Sequence, residues 1–404
     1  MAAPTSSASF ARLTEQETML SAVFVERAAP SVPADGRGAR AVLEAILLEA
    51  LQTRPCYVLF SGGRDSSALL AVAVHVARRT GLPLPVPVTA HHPAHSRSHE
   101  QQWQDLVLGH LDVSERVVVE LDGEQRLLGD VATAAIRRHG VVWPEAVQGH
   151  GAIYRHLDAA GAVVHGEGGD NVISGGRAAW VRALGTRRPD RALLRGAIRA
   201  AVPVTARRAR RGAEPWPWLT AAGAAALVDA EVRSRRTPFR WDRATQAVVR
   251  EPAARVLFPN MDAGIAEYGL RPFTPFADPR FVGALAREGG VWGFGGRTAT
   301  FDHLVGDLLP AAVIGRTTKA SFNGTRWGEG EREFARSWDG SGISSDWVDA
   351  ERLRTEWLRD DPHPASDFLL QVAWNAARGG TGSDAEGSSH ATVPHGLVAR
   401  AGER

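Results

Sequence analysis

The chain has 404 residues, 44% of them hydrophobic, and its 47 Lys and Arg against 45 Asp and Glu leave a formal net charge of +2. That is enough chain for one large or two smaller cored domains, and the near-cancelling charge argues against a general nucleic-acid binder. No stretch approaches the roughly 18 apolar residues of a membrane span, and a single cysteine, Cys56, excludes an internal disulfide, a CxxC redox pair and a multi-thiolate zinc site.

Residues 1–40 are rich in Ala, Ser, Pro and Gly and are expected to be an N-terminal extension with one short helix between Leu13 and Arg27. Met1 to Leu20 lacks a basic region followed by an apolar run, so no secretory signal is expected and the cytoplasm is the expected compartment. From Ala39 to Leu51 apolar residues recur at helical spacing. The run Cys56 to Phe60 suits a buried parallel strand and ends on Ser61-Gly62-Gly63-Arg64-Asp65-Ser66-Ser67. An apolar helix over Ala68 to Arg79 follows, stopped by Thr80, Gly81 and Pro83, and then a strand over Val86 to Ala90. The alternation continues with a helix near Glu100 to Leu111, a strand over Arg116 to Leu121, helical segments to about Ala160, and a strand closing at Val163 and Val164.

Strands alternating with helices of ten or more residues predict an α/β fold. This is a Rossmann-like parallel sheet with helices on both faces over residues 41–185, binding ligands at the carboxyl ends of its strands. Beyond Thr186 the strand signals fade, and residues 186–378 read as a largely helical part broken by prolines. Gly, Ser and Thr dominate from Gly379, which predicts a disordered tail over 379–404. His91, His92, His95 and His99 are too irregularly spaced for zinc and are expected to be solvated loop residues. The Arg-rich segment Arg187 to Arg211 is expected to be a solvated helical face, with a polyanion site as the alternative. Trp216, Trp218 and Trp241 lie near basic groups and are expected to serve core packing or a lid, a Trp-lined acceptor site being the other option.

The sequence SGGRDSS sits between a buried strand and an apolar helix. Gly62 and Gly63 let the backbone approach an anion, the helix N-terminus aims free N–H groups at it, and Ser61, Ser66 and Ser67 add hydroxyls. No GxxxxGK[ST] motif occurs in the chain. Asp65 would repel a phosphate unless a cation lay between them, a role suited to Mg²⁺. A plain helix start is the alternative. A second acidic glycine turn, His165-Gly166-Glu167-Gly168-Gly169-Asp170, follows the strand at Val163 and Val164.

SGGRDSS resembles the SGGxDSS PP-loop of N-type ATP pyrophosphatases, which holds the pyrophosphate end of ATP. The second turn is similar to the GEGxDE segment of asparagine synthetases and of their relatives, the β-lactam synthetases and lasso-peptide cyclases. Phe273-Thr274-Pro275-Phe276-Ala277-Asp278 resembles the family's RxPFLD region on the substrate side of the cleft, and Leu309-Pro310, Arg316 and Lys319 resemble its LP…R.K.gF segment. The resemblance covers roughly residues 41–378. It implies ATP and Mg²⁺, with Asp65 and Asp170 as metal ligands, Gly166 and Gly168 beside the nucleotide, and Glu167 placed to take a proton from the amine. It also implies Lys319 at the α-phosphate, assisted by Arg316. Asn171 stands where the family carries a second acid, and Arg271 with Phe273 where relatives often carry Glu and Arg.

The expected activity is that of an AMP-forming carbon–nitrogen ligase that adenylates a small-molecule or peptide carboxylate, releases pyrophosphate and joins the acyl group to an amine in specialised metabolism. The stretch ahead of the loop strand is too short for a glutaminase domain. The amine is therefore expected from a substrate, from free ammonia or from a partner subunit. Two alternatives stay open: transfer to a non-amine acceptor, and a non-catalytic subunit of a biosynthetic complex.

Overall fold

The structure is a computed structural model that describes residues 9–33, 36–93, 100–174, 178, 191, 194–195, 198, 216–234, 238–318 and 323–379. The expected tail beyond Gly379 and most of Arg187 to Arg211 lie outside the described residues, as do His95, His99 and Lys319.

One parallel sheet organises the chain. Its strands are β1 (Cys56–Leu59), β2 (Val86–His91), β3 (Val117–Glu120), β4 (Ala162–Val164) and β5 (Arg271–Phe273), in the order β3-β2-β1-β4-β5. All four pairings are parallel, with Tyr57 opposite Val86 on one side and Val163 on the other. Strand residues alternate between two apolar layers, because successive side chains leave a strand on opposite faces. Cys56, Val58, Ala162 and Val164 pack under the helices Ala39–Leu51 and Arg64–Thr80. Tyr57, Val88, Val119 and Val163 pack against Ala152 and Tyr154 of the helix Ala146–Tyr154 and Ile265 of the helix Ala254–Ala266. This is the expected Rossmann-like arrangement with helices on both faces.

The helix after β1 starts at Arg64, four residues ahead of the expected Ala68, so Asp65, Ser66 and Ser67 lie in its first turn. It ends on Gly81 in the left-handed region (φ +67°), with Arg78 and Arg79 in the last turn where cations offset the helix dipole. The expectation that strands cease after Thr186 is corrected by β5, which pairs with β4 through Val163 opposite Pro272. Three residues are too few for a periodic signal. Proline is tolerated there because β5 is the edge strand among the described residues, with one side of its ladder unpaired by them.

A second core gathers Trp218, Trp327, Trp338, Trp357, Leu369 and Leu370 from the C-terminal half, and Met19 and Leu20 are buried in it. The expected N-terminal extension is thus packed from at least residue 11, where the Ala11 N–H donates to Asn260 Oδ1 at 2.7 Å. The expected helix between Leu13 and Arg27 is limited to Glu15–Met19. Beyond it the buried Glu17 carboxylate accepts from Arg27 and from the N–H groups of Phe24 and Val25. Trp218 stacks on Trp216 at 5.5 Å, in keeping with a packing role. Among the described residues no helix is long and apolar enough to cross a membrane.

Asp367, 1% exposed, accepts from Trp327 Nε1 at 2.9 Å within this second core. Burial, and then the charge of Glu145, raise its carboxyl to about 8, against the lowering influence of Trp327 and Arg326. An acid whose folded pKa lies above its unfolded value keeps its proton in the native state after the unfolded chain has lost it. Asp367 therefore costs stability progressively as pH rises from about 4 to about 8, by up to about 1.4 kcal/mol per pH unit. Urea melts across this window should show a shallower decline for Asp367→Asn than for the wild type. Parallel pH profiles would contradict the assignment.

Candidate functional site

The strand order reverses around β1, with β2 on one side and β4 on the other. Open α/β sheets bind ligands at such a switch point, outside the carboxyl ends of the strands. Both glycine-rich turns are found there, Ser61 to Ser67 after β1 and His165 to Asp170 after β4.

The first turn is a cradle of backbone donors. Gly62 has φ +82°, a conformation open mainly to glycine. Gly63 is the N-cap of the helix Arg64–Thr80 and offers no side chain to its first N–H groups, which remain available to an anion. The serines bond within the loop: the Ser61 N–H donates to Ser66 Oγ at 3.3 Å, the Gly63 N–H to Ser61 Oγ at 3.3 Å, and Ser66 Oγ to the Gly63 carbonyl at 3.1 Å. Ser67 is fully buried and its hydroxyl has no hydrogen-bond partner among the described residues.

Behind the cradle, Gln104 Nε2 donates to the Ser61 carbonyl at 3.3 Å, and a Cβ on Gly62 would stand 3.0 Å from Gln104 Cγ. Arg316 completes the brace. Its Nη1 donates to the Gly62 carbonyl at 2.9 Å, its Nη2 to Glu100 Oε1 at 2.6 Å and its Nε to Thr318 Oγ1 at 3.0 Å, and the guanidinium lies 4.7 Å from the centre of the Trp103 ring. Both partners of the Arg316–Glu100 pair are buried, with side chains 3% and 8% exposed.

The second turn presses against the first. A Cβ on Gly169 would fall 2.3 Å from Asp65 Oδ1, and one on Gly166 would fall 3.2 Å from Asp65 Cβ. Glycine is thus required for the approach itself. Gly168 adopts φ +87°, and Phe276 and Ala277 pack beneath the turn, which places the Phe273 to Asp278 segment as its backing. Thr274 Oγ1 lies 2.8 Å from His165 Nε2, while His165 Nδ1 is buried without a partner among the described residues. Asp278 caps the helix Pro279–Gly289 by accepting from the Arg280 N–H at 2.8 Å.

Asp65 and Asp170 meet on one cation. Arg297 Nη2 lies 2.6 Å from Asp65 Oδ2 and 2.9 Å from Asp170 Oδ1, and its Nη1 donates to the Gly169 carbonyl at 3.0 Å. Arg297 and Arg64 both lie against the Phe301 ring, at 5.1 and 5.6 Å. Burial, and then repulsion from Arg297, lower the Arg64 pKa from its ordinary value, opposed by Asp65 and Asp170. Two carboxylates reaching one cationic nitrogen form a geometry that suits a divalent ion. One or two carboxylates, with phosphates and water, are what Mg²⁺ commonly takes as ligands.

Of the residues singled out from the sequence, Ser61, Gly62, Gly63, Asp65, Ser66, Ser67, Gly166, Gly168 and Asp170 come together here. Glu167 is exposed on the second turn. Arg316 lies behind the loop with its donors committed, and Lys319 lies outside the described residues. His91 and His92 correct the expectation of solvated loop histidines. β2 extends to His91, and His92 is 4% exposed at the strand's end. Arg297 was missed. The signal available was a cation in the first turn of the helix Arg297–Val305, where the dipole disfavours positive charge. A local rule broken in this way marks a residue held by something else.

The sequence model of the asparagine synthase family matches residues 38–364. No curated protein matches the chain at a significant level.

Removing one partner of a buried ion pair leaves the other charge uncompensated, at a cost of about 3–5 kcal/mol. Arg316→Met should lose stability on that scale in chemical denaturation, and adding Glu100→Gln should recover roughly half of it. Equal losses in the single and double variants would show that the pair does not hold the loop.

Proposed function

This chain belongs to the asparagine synthase family, whose chemistry is ATP-dependent adenylation leading to amide formation, and from that premise we propose that it activates a substrate carboxylate as an acyl-adenylate and transfers the acyl group to an amine. The observation that carries this is the convergence of Asp65 and Asp170 on one cationic nitrogen beside an anion-binding helix terminus.

The roles divide among the chain's residues. Backbone N–H groups and hydroxyls of Ser61 to Ser67 take the pyrophosphate end of ATP. Asp65 and Asp170 would hold Mg²⁺, which supplies positive charge to the phosphate oxygens. Arg297 releases its carboxylates and turns to the phosphates, where a guanidinium forms charge-assisted hydrogen bonds. Lys319, six residues beyond Val313 of the LP segment, stabilises charge at the α-phosphate as pyrophosphate leaves. Glu167, exposed on the second turn, takes the proton of the incoming amine.

Arg316 acts as a positioning residue. Its guanidinium is spent on Gly62, Glu100 and Thr318, so its effect on the reaction runs through the shape of the loop. An amide product and an amine acceptor follow from the family's chemistry. The substrate pair belongs to specialised metabolism in this reading, and the amine reaches the site from a substrate, from ammonia or from a partner subunit.

The test is magnesium-dependent exchange of labelled pyrophosphate into ATP across a panel of carboxylic acids, since exchange reports adenylation before the amine is known. Wild type should exchange with at least one acid. Asp65→Asn, Asp170→Asn and Lys319→Ala should lower the rate by about 100-fold or more, the loss typical of removing a charge-stabilising group. Release of ADP in place of AMP, or exchange indifferent to Asp65→Asn, would contradict the proposal.

A further inference from the structure

Arg297 is poorly placed for a residue whose only work is structural. It opens the helix Arg297–Val305 behind a Gly296 N-cap that supplies no side-chain oxygen, so its charge faces the positive end of the helix dipole. Arg64 lies against the same Phe301 ring, and the two like charges disfavour each other. Arg297 Nε is buried and has no hydrogen-bond partner among the described residues, which weakens the seat further.

The anionic partners outweigh these costs. Arg297 Nη2 donates to both Asp65 oxygens at 2.6 Å and lies 2.9 Å from Asp170 Oδ1, while Nη1 donates to the Gly169 carbonyl at 3.0 Å. A guanidinium nitrogen shared by two carboxylates stands where a divalent ion between them would stand. One seat cannot hold both.

The seat can be vacated without unpacking its surroundings. Upstream, Trp241 anchors the loop: a Cβ on Gly289 or Gly293 would stand 2.3 or 2.7 Å from its ring, and its Nε1 donates to the Ser174 carbonyl at 2.8 Å. Downstream, Phe301 and Leu304 are buried and fix the helix. Between these anchors Gly295 and Gly296 hold φ +100° and +129°, and a Cβ on either would meet no described atom within 4 Å beyond its chain neighbours. Arg297 therefore follows a stretch with room around it.

Resting on the adenylation reading, we propose that Arg297 is the resident counter-ion of the nucleotide-free site: it keeps free Mg²⁺ off Asp65 and Asp170 and yields only to Mg²⁺ already complexed to a triphosphate. The triphosphate supplies what the bare ion lacks, because its oxygens give the departing guanidinium a new anionic partner. Binding of free Mg²⁺ would strip water from the ion and leave Arg297 unpaired in a half-buried pocket beside Arg64. Metal and nucleotide thus enter as one complex. Once pyrophosphate has left, Arg297 returns to the two acids and the site is reset.

The test uses Mn²⁺, an ion of similar ligand preference whose binding is read by electron paramagnetic resonance, titrated into the full chain without nucleotide at about pH 8, where both acids are ionised. Arg297→Gln should bind Mn²⁺ about ten-fold or more tightly than wild type, and Arg297→Lys should keep most of the exclusion. Adding Asp170→Asn to Arg297→Gln should remove the gain. Affinity for the Mn²⁺–ATP complex should move the other way, falling about ten-fold in Arg297→Gln, a split that a merely structural role does not produce. Thermal melts give a second readout that needs no variant: the wild type should be stabilised by Mn²⁺ with ATP and not by Mn²⁺ alone. Equal free-metal affinity in wild type and Arg297→Gln, a gain that survives Asp170→Asn, or a wild type stabilised as much by Mn²⁺ alone as by Mn²⁺ with ATP would overturn the proposal. Metal exclusion and its release as expected, with the Mn²⁺–ATP complex bound but no pyrophosphate exchange with any acid, would instead overturn the adenylation reading alone.

Discussion

Two carboxylates drawn onto one cation at the sheet's switch point are the constraint around which the rest of this protein is arranged. Asp65 and Asp170 touch the same Arg297 nitrogen, so their oxygens lie within about 5.5 Å of each other. At that separation and an effective dielectric constant near 20, two bare charges repel by roughly 3 kcal/mol. The arrangement persists because a guanidinium offsets it. A fold that sought only stability would not bring two acids from turns roughly a hundred residues apart into one partly solvated pocket and then supply an arginine to quiet them. The arrangement makes sense for a site that exchanges one cation for another when a polyanionic ligand arrives.

Holding that geometry determines the residues around it. The two turns can touch only where side chains are missing, so Gly166 and Gly169 are fixed by contact with Asp65 and Gly62 by contact with Gln104. Arg316 and Glu100 are costly to bury, yet they tie the Gly62 carbonyl to a pair that cannot move without exposing an unpaired charge. Phe276 and Ala277 support the second turn from below. The loop is therefore held by groups behind it while its ligand-facing side keeps its donors. Catalytic sites need this kind of preorganisation, because donors already in place cost no rearrangement when charge develops.

Much of this was legible in the residues. The alternation of apolar runs with helical periodicity pointed to the parallel sheet, and the strand-to-helix context of SGGRDSS placed that loop at the carboxyl end of β1. The first turn of the loop helix was placed too late, since Ser and Asp favour turns as readily as helix starts. β5 escaped notice because three residues with a central proline carry no period. Arg297 was not visible for a different reason. It is defined by partners more than a hundred residues away, Asp65 and Asp170, and a lone arginine next to glycine looks like any surface cation until the acids opposite it are seen. Distant convergence of single residues is the information that local pattern does not hold.

The most direct measurement is a double-mutant cycle on Mg²⁺-dependent ATP affinity, using Asp65→Asn, Asp170→Asn and the combined variant. Residues that share one ion lose its binding with either substitution, so the double variant should be scarcely weaker than the singles, leaving a coupling energy of roughly 1 kcal/mol or more. Affinity losses that simply add, or a single substitution without effect, would mean that the two aspartates do not act on one cation.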